Sequence, residues 1–474
     1  MRLDPVSPLV RHRRLSVLPI PAIHPIVETP IVPTISPFRG LRYNSDVISS
    51  ISRVVAPPYD IIDPDDEEAL RARDPHNVVH LTLGKVPPEG RRERDYVRAA
   101  ATLDRWCKDS VLLVDDEPGI YVVEQSFRLG GQWLLRRGFI SALLLEELGK
   151  GVHPHEHTLS SPKDDRFRLT RACNTKLSQI MTIYSDPEGE IDGLVHAMRS
   201  GEPLHSFTDD DGVAYRFWPV RDLEAIQELA RRIGEENIVI ADGHHRYESS
   251  LSFARAHRDS TRSWGQAPED YIGALCISVA NPGLISLPTH RRVQTDEPFD
   301  EKKILDQIRR HFEVTDLGQV SADSAQQEFD RARRDTNRIG CVLPDRRLLL
   351  LEPRRPDELR HRFPAEADSW WNLPVCLLHH VLLPDLIGLS PDAGANSEKV
   401  DFRHRGEEIY TGVVEGDFDL GFLLPPTDPA AVQGVAASGR RLPQKSTYFY
   451  PKVASGLVCY PHNDQTLSTV NSPL

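Results

Sequence analysis

Residues Glu236–Leu251 read "ENIVIADGHHRYESSL". The apolar run Asn237–Ala241 predicts a strand, Asp242-Gly243 a tight turn, and from His244 a helix that keeps Tyr247, Leu251 and Ala254 on one face. A helix that begins at the end of a strand presents unpaired N–H groups and a partial positive charge, which suit a phosphate. Gly243 lets the backbone approach a ligand, and His244, His245 and Arg246 add donors, the arginine as a planar fork. A carboxylate beside a phosphate is repulsive unless it holds a cation or takes a proton, so the expected role of Asp242 is Mg²⁺ ligand or general base. The plain alternative is an Asp-Gly turn whose Asp caps the helix. Neighbouring histidines on a helix point about 100° apart, so the pair does not itself suggest a shared metal.

Working outward, Asp222–Gly234 carries Leu223, Ile226, Ala230 and Ile233 at helical spacing, with Asp222 to cap the start and Gly234 to end it. Glu301–Phe312 repeats the pattern through Ile304, Leu305, Ile308 and Phe312. Strands are predicted at Gly119–Phe127, Ser178–Tyr184, Val213–Val220, Tyr271–Val279, Arg347–Leu351 and Phe418–Leu424, which are rich in Val, Ile, Phe and Tyr. The chain is therefore of α/β or α+β class with mixed sheets. Expected divisions are a proline-rich mobile extension at 1–36, an α+β region at 37–220, a core at 221–325 and a C-terminal α+β region at 326–474, with 37–460 as a single compact unit the alternative. The Arg-rich stretch 326–363 and the region 391–406 read as linker or surface.

A second concentration of chemistry is Gly151–Arg168, "GVHPHEHTLSSPKDDRFR". If extended, it would put His153, His155 and His157 on one side and Glu156 opposite. Thr158, Ser160, Ser161, Lys163, Asp164, Asp165 and Arg166 follow, so the segment is either a solvated loop or a site loop for acid/base and phosphoryl chemistry. A three-histidine metal site is a third possibility. Three shorter stretches join it: "VVAPPYDII" (54–62), a stiff corner; "LPTHRRV" (287–293), whose Thr289, His290 and Arg291 offer a second anion contact or a solvated turn; and "LPQKSTYFYPKVASGL" (442–457). In the last, either Lys445 and Ser446 meet a ligand phosphate, or Tyr448 and Tyr450 pack on one face of a strand with the lysines in water.

With 474 residues, 39% of them hydrophobic, the chain can bury a large core. Its formal net charge of −13 argues against a general nucleic-acid or membrane-surface binder, so any anion must be held locally. Six scattered cysteines without a C-x-x-C pair fit reduced thiols of the cytoplasm. Prolines interrupt the apolar positions of the first 36 residues as a signal peptide would not.

The segments "VVAPPYDII", "HPHEHTLSSPKDDRFRL", "IADGHHRYESSL", "LPTHR" and "LPQKSTYFYPK" with "SGLV", in this order over about residues 37–460, resemble the hallmarks of the family filed as domain of unknown function 1015. The Asp-Gly-His-x-Arg segment is similar to that of the ParB/sulfiredoxin-like superfamily, which includes an ADP-dependent free-serine kinase, and the resemblance implies a strand-turn-helix phosphate-binding core. Gly243, His244 and Arg246 fall on the nucleotide-binding corner, with His245 in the variable place and Asp242 on the Asp of the kinase-like members. Sulfiredoxin's catalytic Cys has no counterpart, since position 243 is Gly, and ParB's basic helices have no counterpart in this acidic chain.

The expected activity is thus phosphoryl transfer from ATP, ADP or another phosphoanhydride, with Mg²⁺, to a small hydroxylated metabolite, with free serine as the implied acceptor. Lys163 and Arg166 are expected to neutralise the transferred group, Glu156, Asp165 or Asp242 to act as base, and His157 to lie within reach. A nucleotide-responsive clamp without transfer and a metal-dependent hydrolase are the alternatives.

Overall fold

The fold is built on a long hairpin. Ile120–Leu129 (β1) and Gln132–Leu144 (β2) pair antiparallel across Gly130-Gly131, whose φ values of 56° and 85° give the positive-φ turn that matches strand twist. Six further strands, Val152–Pro154 (β3), Ile180–Tyr184 (β4), His205–Thr208 (β5), Ala214–Val220 (β6), Ile238–Asp242 (β7) and Tyr271–Ser278 (β8), join them in the order β3-β7-β4-β8-β2-β1-β6-β5, and Ile35–Ser36 also pairs with β2. The sheet is mixed: β7 runs parallel to β3 and antiparallel to β4, and β8 parallel to β4. The computed structural model describes residues 33–84, 90–158, 160–259, 261–295, 298–334, 338–362, 368–389 and 398–463, all within one compact unit spanning Val32–Leu474. The expected extension at 1–36 lies outside the described residues up to position 32, and the region 391–406 up to position 397.

Two helices frame the site, Ser160–Cys173 (α1) and His244–His257 (α3), while Leu223–Ile233 (α2) packs into the core beside the sheet. Asp222 caps α2 by accepting from the Glu224 and Ala225 amides, and Gly234 closes it, as their positions predict. Tyr247, Leu251 and Ala254 of α3 pack in one apolar cluster with Ile238, Ile240 and Ala274. The Tyr247 hydroxyl also donates to the Glu146 carbonyl at 3.0 Å.

A second sheet, antiparallel throughout, runs Phe312–Gln319, Arg347–Pro353, Ile339–Val342, Leu420–Leu423, His290–Val293 and Val400–Arg403. Its core is continuous with the first, since Val239 and Leu275 share a buried cluster with Leu351 and Phe422. Several expectations are corrected here. The helix from Glu301 stops at Ile308 and Phe312 opens a strand. The Arg-rich stretch holds most of the helix Ala322–Arg333, two sheet strands and the helix Pro356–Arg362, because continuous apolar runs such as Leu348–Leu351 are buried between its charges. Of the expected divisions, 220/221 follows the last residue of β6 and 325/326 lies within the helix Ala322–Arg333.

Candidate functional site

The corner forms where β7 hands over to α3. Between Ile240 and Asp242 the register with β4 shifts by one residue, a bulge that re-aims Asp242 at the strand's end. Gly243 follows at φ 92°, ψ 30°, where a Cβ would stand 2.9 Å from both Arg246 Nε and Ile180 Cγ2, so any side chain there strains the backbone and displaces its neighbours. No side chain caps α3. Instead Asp242 Oδ2 accepts from Arg246 at 2.5 Å and Oδ1 from Lys452 Nζ at 2.5 Å, which removes the reading of Asp242 as a helix cap. Burial alone would raise its carboxyl, but Lys452 and Arg246 outweigh burial and hold it well below the carboxylate range. Arg246 is fixed further by the Gln179 carbonyl.

The segment from β3 supplies the opposite wall. Its extended run stops at Pro154, so the three histidines diverge: His153 Nε2 meets Asn237 Oδ1 at 3.3 Å, His155 turns inward, and exposed His157 meets Arg441 at 3.2 Å. His155 donates from Nδ1 to the Ile240 carbonyl at 2.6 Å, while Nε2 faces Thr447 Oγ1 at 3.0 Å and Glu156 Oε1 at 3.5 Å. The His155 amide donates to His244 Nε2 at 3.3 Å, which leaves the proton of neutral His244 on Nδ1. Burial first, then the neighbouring His155, lowers His244 to about 3, so it stays neutral at physiological pH. For Glu156 burial acts upward, but the hydrogen bond and charge of His155, with His244 and Lys445, bring it down to about 2.

The third wall comes from Leu442–Tyr450. Ser446 is buried and locked, its amide donating to Glu156 Oε1 at 3.1 Å and its hydroxyl to the Pro443 carbonyl. Lys445, in the left-handed region at φ 57°, is exposed, and its ammonium forms no ion pair or hydrogen bond among the described residues. Arg291 holds this loop by donating to the Lys445 carbonyl at 2.9 Å and is itself 1% exposed. His290, 0% exposed, accepts the Leu424 amide at 3.0 Å, and Thr289 is buried beside it. Of these three positions Arg291 supports the loop through its backbone, while Thr289 and His290 are buried.

Asp165 and Arg166 lie in a buried ion-pair cluster, and Arg166 lines one cavity with Arg246 of the corner. Asp165 accepts from Arg91, Tyr96 and Arg166 at 2.8–3.0 Å, and Arg166 donates twice to the Thr82 carbonyl at 3.1 Å while lying 4.0 Å over the Tyr59 ring. A base needs an accessible lone pair, and Asp165 has its oxygens occupied in a 3% exposed pocket. Lys163 is nearer the corner, bound to Glu248 of α3 at 2.9 Å. Asp60, from the "PPYD" corner, bears electrostatically on His245 and Lys452.

Two metal expectations do not hold. The three histidines share no face, and no group of three or more His, Cys, Asp or Glu among the described residues could hold an ion. Mg²⁺ on Asp242 does not fit, because each carboxylate oxygen already carries a cation. Lys452, expected in water, has a side chain only 14% exposed and is the residue that sequence reading missed. Its one signal was its place two residues after the Tyr448–Tyr450 pattern, in a segment already rich in Lys, Ser and Thr.

Fold and site together define a mixed α/β protein with a cation-rich strand-turn-helix corner closed by distant segments. The chain belongs to the family of proteins of unknown function DUF1015, whose model matches residues 35–376. No curated protein matches the sequence significantly. Similar solved structures include a conserved hypothetical protein from Pyrococcus furiosus, at 10% identity and TM-score 0.32 over 66% of this chain and 97% of that one. A free serine kinase mutant in complex with ADP gives 10% and 0.32 over 66% and 95%, and SbnI with C-terminal truncation from Staphylococcus aureus gives 11% and 0.34 over 67% and 86%. At these scores the likenesses carry no weight for activity. Among the described residues no helix is long and apolar enough to cross a membrane.

Proposed function

We propose that the corner binds the phosphates of a nucleotide or other phosphoanhydride and that the protein transfers a phosphoryl group to a small hydroxylated acceptor. The observation that carries this reading is convergence: the uncapped start of α3, neutral His244, Glu156 and the unpaired Lys445 come together from segments up to about 290 residues apart in sequence. Backbone N–H groups at the helix start and the His244 Nδ1–H donate to phosphate oxygens, and Lys445 offsets their charge. Phosphoryl transfer depends mainly on positioning and electrostatics, which this arrangement supplies.

In the chemical step the acceptor oxygen bonds to phosphorus as the phosphoanhydride bond breaks, and the acceptor's proton passes to Glu156. That residue is the better base, since Asp242 is committed to Lys452 and Arg246. A carboxylate of low proton affinity suffices where little nucleophile activation is needed. Free serine, the acceptor implied by the sequence resemblance, is the first to test.

The test is ³¹P NMR of the protein with ATP, ADP or pyrophosphate, with and without L-serine and Mg²⁺. A new phosphomonoester signal that requires the acceptor, and that falls roughly 10²-fold or more in Glu156→Gln, is expected. Donor binding without transfer assigns the protein to nucleotide-responsive clamps, and no binding of any donor overturns the phosphate reading.

A further inference from the structure

A phosphate site needs fixed positive charge, and Asp242 is where a divalent cation would ordinarily bring it. Here its two oxygens face Lys452 and Arg246, with side chains only 15%, 14% and 10% exposed for the aspartate, lysine and arginine. The trio carries a net charge of +1 without any added ion, from two cations and one carboxylate. The lysine is held rather than loose. Its backbone carbonyl accepts from the Tyr215 hydroxyl at 3.1 Å and from Gln125 at 3.3 Å, and the preceding Pro451 carbonyl accepts from Arg136. Its ammonium lies 4.7 Å over the Tyr448 ring.

An ammonium has three N–H donors, and among the described residues Asp242 is the one hydrogen-bond partner of Lys452 Nζ. The remaining donors sit in a largely enclosed corner, next to the start of α3. Such donors are costly to leave unmet and are available to a second anion.

We propose that Lys452 is a phosphate-binding residue, positioned by Asp242, and that with Lys445 it supplies the charge a protein-held divalent cation supplies elsewhere, so that anion binding at this corner does not require metal. This rests on the phosphate reading above and adds to it a residue and a metal requirement.

The test is isothermal titration of the full chain with AMP and with inorganic phosphate, once in EDTA and once in Mg²⁺. The expected result is dissociation constants within threefold of each other in the two buffers, a loss of tenfold or more for Lys452→Met, and near wild-type binding for Lys452→Arg. Wild-type binding that appears only with Mg²⁺ overturns the inference while leaving the phosphate reading intact. So does a folded Lys452→Met variant with unchanged affinity. If neither ligand binds in either buffer, the phosphate reading itself fails. The EDTA comparison uses only wild-type protein, so the test stands even if Lys452→Met does not fold.

Discussion

Gly243 shows how much a single position can dictate. At φ 92° it lets β7 turn directly into α3, and a Cβ there would press on Arg246 and Ile180. Gly243→Ala should therefore lower unfolding stability by about 1–3 kcal/mol, read from urea titration, and an unchanged midpoint would contradict the geometry. The turn at Asp242-Gly243 and the helix start at His244 were legible because they follow from local rules of turns and helix starts. Lys452 was not, because its contact with Asp242 spans 210 residues and nothing local distinguishes it from a solvated lysine. The same limit applies to Arg291, whose appearance as an anion contact gave way to a support for the Lys445 carbonyl.

At the scale of elements, α1 illustrates how a polar segment divides between site and scaffold. Its early Lys163 reaches Glu248 of α3, whereas Asp165 and Arg166 turn away to bind Arg91, Tyr96 and the Thr82 carbonyl. Residue types alone could not separate these roles, since carboxylates and arginines serve buried ion pairs as readily as catalysis. Burial would raise the Asp165 carboxyl, but Arg166 and Arg91 hold it below its ordinary value. Asp165→Ala leaves two buried arginines short of a partner, so a loss of about 3–5 kcal/mol in unfolding stability is expected. A variant that kept full stability and lost only turnover would return Asp165 to the chemistry. Strand β2 escaped sequence reading although Gly130-Gly131 marks its turn, because its arginines, Arg136 and Arg137, broke the apolar run that otherwise signals a buried strand. Both find partners in the fold, Arg136 in Gln125 and the Pro451 carbonyl and Arg137 in Glu124.

Across the whole molecule, buried histidines set the acid limit. Burial lowers His205 to about 4, His244 and His290 to about 3 and His462 to about 2. In the unfolded chain each takes a proton near pH 6.5, so the unfolded state binds more protons below that value and stability falls as pH drops from about 6.5 towards the folded values of about 4 to 2. With these four groups the slope reaches ~5 kcal/mol per pH unit near pH 5. Urea unfolding at pH 7 and pH 5 checks this, and equal stabilities would contradict neutral burial. The class of fold was legible from strand and helix periodicity, but the pairing order was not, since β3-β7-β4 and β8-β2 join segments separated by long stretches of chain.

The most direct measurement of the central claim is calorimetric titration of ADP into wild-type protein, Lys445→Ala and Asp222→Ala. Lys445 is exposed and its ammonium has no partner among the described residues, so its removal leaves the fold intact, while Asp222 caps α2 and does not reach the corner. Binding by wild type, roughly tenfold weaker in Lys445→Ala and unchanged in Asp222→Ala, is the predicted result. Equal affinity in all three, or none in wild type, would contradict a phosphate site at this corner.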